Sequence, residues 1–163
     1  MNTTYSQFKE KLINVFTLSG IDIPSEEKTE KLFALSENLT EYGKNVNLTA
    51  ITDTDGIILK HLADCAVLCS VVPEGARVID VGAGGGFPSL PLAILRDDVR
   101  VISLDSTAKK LTFIDLMAKT LALPNISTLH GRAEEIANGE LRESFDFVCA
   151  RAVASLPVLA ELC

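Results

Sequence analysis

Between residues 5 and 72 apolar positions recur at three- and four-residue spacing, and beyond them short β-branched runs alternate with helical stretches. Phe8, Leu12, Val15 and Phe16 form the stripe of a first helix, which Gly20 is placed to stop. Pro24, Ser25, Glu26 and Glu27 open a second, with Ser25 as N-cap and acids in the first turn. Leu32, Leu35 and Leu39 give it an apolar face, and Gly43 ends it. The run NVNLTAIT, residues 45–52, is short and β-tending. Asp53 then opens a third amphipathic helix through Ile57, Ile58, Leu62, Ala66 and Cys69.

From Arg77 the chain reads RVIDVG, a glycine loop, a helix, RVISLD, a helix, NISTLHG, a short connection and FDFVCARA. Strands and helices in strict alternation predict a parallel sheet with helices on both faces, an α/β fold. Strands are expected near 77–81, 100–104, 126–130 and 146–150. A helix opening at Ser155 runs to the last residue. The division is an N-terminal helical cap, 1–72, and an α/β core, 73–163, that holds the glycine loop. The sheet is expected to be incomplete after the fourth strand, the chain being read as a fragment. The apolar positions Val153, Leu156, Leu159 and Leu162 and the edge of that strand would then invite self-association.

Composition narrows the class. Fifteen Lys and Arg against twenty-two Asp and Glu give a net charge of −7, so bulk attraction to a polyanion is excluded and any nucleic-acid contact must be local. Apolar runs are broken well short of the roughly 18 residues a membrane span requires, and residues 1–10 hold no apolar signal core. A cytoplasmic protein without a membrane partner is expected. Cys65, Cys69, Cys149 and Cys163 have neither CxxC spacing nor the density of a disulfide scaffold, and read as reduced thiols. Cys65 and Cys69 share a helical face, but with only His61 and His130 as further soft ligands no metal site is expected.

The strongest chemical signal is VIDVGAGGGFP, residues 78–88. A buried strand enters a loop with Gly82, Gly84, Gly85 and Gly86, where missing Cβ atoms permit positive φ and let a flat or anionic ligand lie against bare backbone. The dinucleotide pattern GxGxxG would need glycine where Phe87 stands, which disfavours a nicotinamide cofactor. Asp105 closes the second strand, where a carboxylate can take both hydroxyls of a ribose, as any adenosyl cofactor requires; it could equally cap the next helix. Arg132, Ala133, Glu134 and Glu135 follow the third strand and could meet an adenine edge, or simply form a solvated first turn. His61 and Asp64, three apart on one helical face, are close enough to pair.

The runs VIDVGAGGGFPSLPLAI, HGRAEEI and FDFVCARAVASL, the dipeptide Asp105 and Ser106 followed by Lys109, and the upstream NLTAIT and KHLAD resemble the small-subunit ribosomal RNA methyltransferase G family, also called glucose-inhibited division protein B. The likeness runs from about Leu32 onward in register. It implies a Rossmann-like methyltransferase that moves a methyl group from S-adenosyl-L-methionine to guanine N7 in small-subunit (16S) ribosomal RNA, free or in a ribosomal particle. Carried over by position, cofactor contacts fall on Gly82 and Phe87 in the loop, Asp105 at the ribose, Ala133 and Glu134 at the adenine, and Arg151 after the fourth strand, and Gly84 joins the cofactor-binding candidates as part of the glycine loop itself. His61, Asp64 and Arg151 become the residues expected to face substrate. Where the family usually follows the Asp of its KHxxD segment with Ser, this chain has Cys65.

Guanine N7 already offers an in-plane lone pair, so no general base is expected, and alignment and desolvation carry the reaction. Enzymes acting on exocyclic amines carry an Asn or Asp, Pro, Pro, aromatic run after strand four, where this chain has Ala150, Arg151 and Ala152. Cytosine C5 chemistry needs a thiolate, and Cys149 lies within a strand expected to be buried. The rival readings are a small-molecule methyltransferase and an inactive, truncated cofactor-binding remnant.

Overall fold

In the computed structural model the described residues are 3–43, 46, 48–136, 139, 141–151 and 153. The first helix, α1 (Tyr5–Leu18), begins at a capping box in which the Thr4 hydroxyl accepts from Gln7 N–H and the Gln7 side chain accepts from Thr4 N–H. It stops at Gly20, whose φ of +67° lets Ile21 N–H return to Phe16 C=O. In α2 (Glu26–Gly43) Ser25 caps as predicted, its hydroxyl accepting from Lys28 N–H. The β-tending run 45–52 contains no strand among its described residues. Asp53 caps the next helical stretch, its carboxylate taking Gly56 N–H at 2.7 Å. That stretch comprises α3 (Thr54–Ile57), a π-helical turn (Ile58–Ala63), α4 (Asp64–Val67) and a 3₁₀ turn (Leu68–Ser70).

Four parallel strands follow: β1 (Arg77–Val81), β2 (Arg100–Asp105), β3 (Ile126–His130) and β4 (Phe147–Ala150), in the order β3-β2-β1-β4. Connecting them are α5 (Ser89–Leu95), α6 (Ala108–Thr120) and α7 (Ala133–Ile136). Strand β1 is the pivot, pairing with β2 through Asp80↔Ser103 and with β4 through Asp80↔Cys149. The strand order reverses between β1 and β4, and the crevice beyond the carboxyl ends of such strands is where open α/β sheets receive ligands.

As the alternation of strands and helices predicts, helices lie on both faces of the sheet, the larger cluster among the described residues being on one of them. One continuous core runs from Phe8, Leu12 and Phe16 of α1 through Leu32, Leu35 and Leu39 of α2 to Leu90 and Leu92 of α5, Phe113 and Met117 of α6, and Val78 and Val101 beneath them. The helices of the N-terminal segment therefore pack on α5, and α5 on the sheet. Lys28 Nζ donates to Leu95 C=O, and the Arg96 guanidinium to the carbonyls of Cys69 and Val72, joining the two layers at the far end from the crevice. The opposite face is a smaller cluster of Ile79, Val81 and Leu104, with α7 lending Ala133 and Ile136. The helix predicted from Ser155, with Leu156, Leu159 and Leu162, lies outside the described residues, as does Cys163.

Candidate active site

The glycine loop leaves β1 at Gly82, whose N–H, with that of Ala83, donates to Leu104 C=O, so the turn is pinned to the end of β2. Gly82, Gly84 and Gly86 have φ of +73°, +57° and +85°, a region that favours glycine. The four glycines serve different neighbours. A Cβ on Gly86 would strike Leu90, one on Gly85 would meet the backbone of Leu48 at 3.1 Å, and one on Gly82 would strike Val153. Only Gly84 opens onto free space, its nearest neighbour being Gly82 C=O at 3.8 Å.

Asp105, at the end of β2, is buried. One carboxylate oxygen accepts from Gly84 N–H at 2.9 Å and the other from Thr107 N–H at 2.7 Å. Thr107, rather than Asp105, occupies the N-cap position of α6. Each oxygen keeps a further lone pair for an incoming hydroxyl. Gly82, Asp105, Ala133 and Glu134 together line a cleft of about 340 Å³ with Thr107, Lys110 and Arg132. Three separate strand ends thus supply one concave site.

Phe87, Arg151, His61 and Asp64 gather in a second cluster. The Phe87 ring is buried and stacks on His61 with centroids 4.6 Å apart and planes 23° apart. The Arg151 guanidinium lies 5.9 Å from the centre of the same ring. It donates to His61 Nδ1 at 2.7 Å and to Lys60 C=O at 3.0 Å, and stands 3.9 Å from the Asp64 carboxylate. The pairing predicted between His61 and Asp64 is not made; Arg151 approaches each of them instead. His61 is only 6% exposed, and desolvation followed by the Arg151 charge pushes its pKa down from 6.5 to about 4. It is a neutral ring with both nitrogens engaged at pH 7. Its π-helical turn is of the kind that often marks functional positions.

A family model described as GidB, rRNA small subunit methyltransferase G, matches residues 28–163. The chain belongs to this family. It is 44% identical over 142 residues to ribosomal RNA small subunit methyltransferase G of Clostridium perfringens (strain SM101 / Type A), covering 85% of this chain and 59% of that protein. The protein of the same name from Desulfitobacterium hafniense (strain Y51) is 43% identical over 154 residues, 93% of this chain and 64% of that one. The chain thus spans about six-tenths of the length of these GidB relatives. Among solved structures, a putative protein-L-isoaspartate O-methyltransferase from Plasmodium falciparum, in complex with S-adenosyl-L-homocysteine, superposes with a TM-score of 0.56 at 21% identity, covering 95% of this chain and 78% of that one. Coclaurine N-methyltransferase gives 0.51 at 16% identity, over 90% of this chain and 48% of that one. These likenesses establish the Rossmann-like methyltransferase fold.

Two polar features of the GidB chain escape a reading of the sequence. Asp80 sits inside β1 with no solvent exposure, Ser89 N–H reaching its carboxylate at 3.3 Å. Its second oxygen and the hydroxyls of Ser89 and Ser103 find no partner among the described residues, and burial pushes its pKa up from 3.8 to about 6. The signal was an acid inside an otherwise apolar strand. Thr49, the second feature, bonds His61 Nε2 at 2.8 Å from the middle of the run read as β-tending. Cys65 and Cys149 are buried reduced thiols; burial pushes the Cys65 pKa up to about 12, the reverse of what a nucleophile needs. No described helix is long and apolar enough to cross a membrane, and no group of three or more His, Cys, Asp or Glu among the described residues is placed to hold a metal.

Proposed function

We propose that the protein to which these residues belong transfers a methyl group from S-adenosyl-L-methionine to guanine N7 of small-subunit (16S) ribosomal RNA, in the cytoplasm. The observation that carries the reading is the convergence of the glycine loop, Asp105, Ala133 and Glu134 on one cleft at the carboxyl ends of β1, β2 and β3, in a chain of this family. The residues fit an adenosyl cofactor: Gly84 has open space where a side chain would stand, and a braced carboxylate stands at the end of β2. Asp105 would hold the ribose hydroxyls, the turn at Ala133 and Glu134 the adenine edge, Gly82 and Gly84 the backbone approach, and Arg151 beside Phe87 the carboxylate end.

When bound, the cofactor supplies a sulfonium methyl, an electrophile that guanine N7 can attack with its own lone pair. The protein's part is alignment and exclusion of water. The neutral, fully engaged His61 is consistent with a reaction that asks for no general base. Lys110 and Arg132 line the cleft and would offer phosphate contacts locally in a chain of net charge −7.

The test is transfer of labelled methyl from S-adenosyl-L-methionine to small ribosomal subunits and to deproteinised 16S RNA, with the product nucleoside identified by mass spectrometry. Release of 7-methylguanosine is the expected result. Label appearing only in a metabolite pool would replace this reading with a small-molecule methyltransferase, and binding of S-adenosylhomocysteine without transfer would leave a cofactor-binding remnant.

A further inference from the structure

Arg151 is the first residue after β4, yet its guanidinium takes its orientation from elsewhere. Its bonds run to Lys60 C=O and His61 Nδ1 in the π-helical turn, ninety and more residues away in sequence, and its face approaches Phe87. What fixes His61 therefore fixes Arg151.

The bonding pattern gives the network a direction. A guanidinium only donates, so His61 Nδ1 must be the bare nitrogen, and the neutral ring carries its proton on Nε2. That proton points at Thr49 Oγ1, 2.8 Å away, which also accepts from Ile51 N–H at 3.1 Å. Both acceptor positions of the Thr49 hydroxyl are then filled. Thr49 in turn belongs to a segment seated on the glycine loop, since Leu48 occupies the space that a Gly85 side chain would take. The order of donation is Arg151 to His61 to Thr49, and it ends one residue from Leu48, on the loop that carries Phe87.

We propose that Thr49 and His61 are positioning residues that act through Arg151, holding its guanidinium over Phe87 in the one orientation from which it meets the cofactor. Neither touches the cofactor. The inference rests on the reading of Arg151 as a cofactor contact given above. A bland alternative, in which His61 merely packs the helical segment onto the loop, would give Thr49 a role in stability and none in affinity that depends on Arg151.

A double-mutant cycle separates the two, read by calorimetric titration of the protein that carries these residues with S-adenosylhomocysteine and by thermal unfolding. Arg151→Lys keeps the charge but cannot present a planar fork, and is expected to weaken binding about tenfold. Thr49→Val keeps shape and removes the acceptor, and is expected to weaken binding about 3- to 10-fold, the worth of one hydrogen bond, with Thr49→Ser restoring it. In the Arg151→Lys background Thr49→Val should cost less than about twofold, because the group it positions is gone.

Equal penalties in both backgrounds, or full affinity in Thr49→Val, would overturn the proposal while leaving the cofactor reading intact, whereas full affinity in Arg151→Lys would overturn it together with the reading of Arg151 as a cofactor contact. A wild-type protein with no affinity for S-adenosylhomocysteine would overturn both. Imidazole nitrogen NMR of the unsubstituted chain keeps the proposal exposed if Thr49→Val does not fold. At pH 7 His61 should carry its proton on Nε2 alone, and a proton on Nδ1 would break the network.

Discussion

The carboxylate of Asp105 receives the backbone N–H of Gly84 at 2.9 Å, so the end of β2 braces the glycine loop that leaves β1. The same carboxylate holds Thr107 N–H at the start of α6. Asp105→Ala is therefore expected to act on affinity through two routes, loss of the ribose acceptor and loosening of the loop. Calorimetry should record a loss of about 1.5 to 3 kcal/mol in S-adenosylhomocysteine binding, the value of charge-assisted hydrogen bonds. Asp105→Asn, which keeps one acceptor oxygen, should fall between. An alanine variant with unchanged affinity would exclude both routes.

Neighbouring glycines should respond differently to a side chain. Gly84, with φ of +57° and open space on its Cβ side, tolerates a methyl group at a backbone cost of about 1 kcal/mol. Gly84→Val should abolish cofactor binding while leaving helical content by circular dichroism nearly unchanged, since the bulk enters the ligand's space alone. Gly85→Ala has no positive φ to overcome, but its methyl meets Leu48 C=O at 3.1 Å and should lower Tm by lifting the segment carrying Thr49. If Gly84→Val binds normally, the loop is not the cofactor site.

Much of this arrangement was legible in the chain itself, and the reason is local. The four strands fall within a residue of where β-branched runs bounded by glycine, proline and charge place them, and the starts of α2 and α3 follow from Ser25 and Asp53. The β-branched content of the run 45–52, read alone, favours a strand, but none forms among its described residues, where Leu48 sits against Gly85 and Thr49 bonds His61, tens and about a dozen residues further along. His61 misled in the same way. Its helical neighbour Asp64 was the visible partner, and the real ones, Arg151 and Thr49, come from other parts of the fold. Spacing encodes contacts within an element and says little about contacts between elements.

Cys149→Ala should change packing and little else. The thiol is buried in β4 and points at Ile79 C=O from 3.6 Å, a weak sulfur hydrogen bond within the sheet. A loss of about 1 kcal/mol in stability is expected for removing one buried sulfur. Methyl transfer by a longer protein carrying this variant should stay within about tenfold of wild type, as attack by guanine N7 passes through no covalent enzyme intermediate. A folded variant with no activity, or an adduct between Cys149 and RNA, would point to C5 chemistry instead.

Two buried groups should pull stability in opposite directions as pH falls. Asp80 has its pKa raised from 3.8 to about 6, chiefly by burial, so between those values the folded chain binds a proton that the unfolded chain does not. Its contribution to stability is present at low pH and lost as pH rises through about 6. His61, lowered from 6.5 to about 4 by burial and by Arg151, does the reverse: the unfolded chain takes up its proton first, and stability is lost as pH falls through that window. Thermal unfolding from pH 7.5 to pH 4.5 can separate them. Asp80→Asn should compare best with wild type near pH 7.5, where wild type carries a buried charge, and compare progressively worse on acidification. His61→Gln removes a group whose protonation opposes folding, so its deficit should be largest at pH 7.5 and shrink toward pH 4.5. Differences in Tm that stay flat across the range for both variants would mean that neither group holds the shifted pKa its burial implies, and a shrinking deficit for Asp80→Asn would reverse the sign assigned to it.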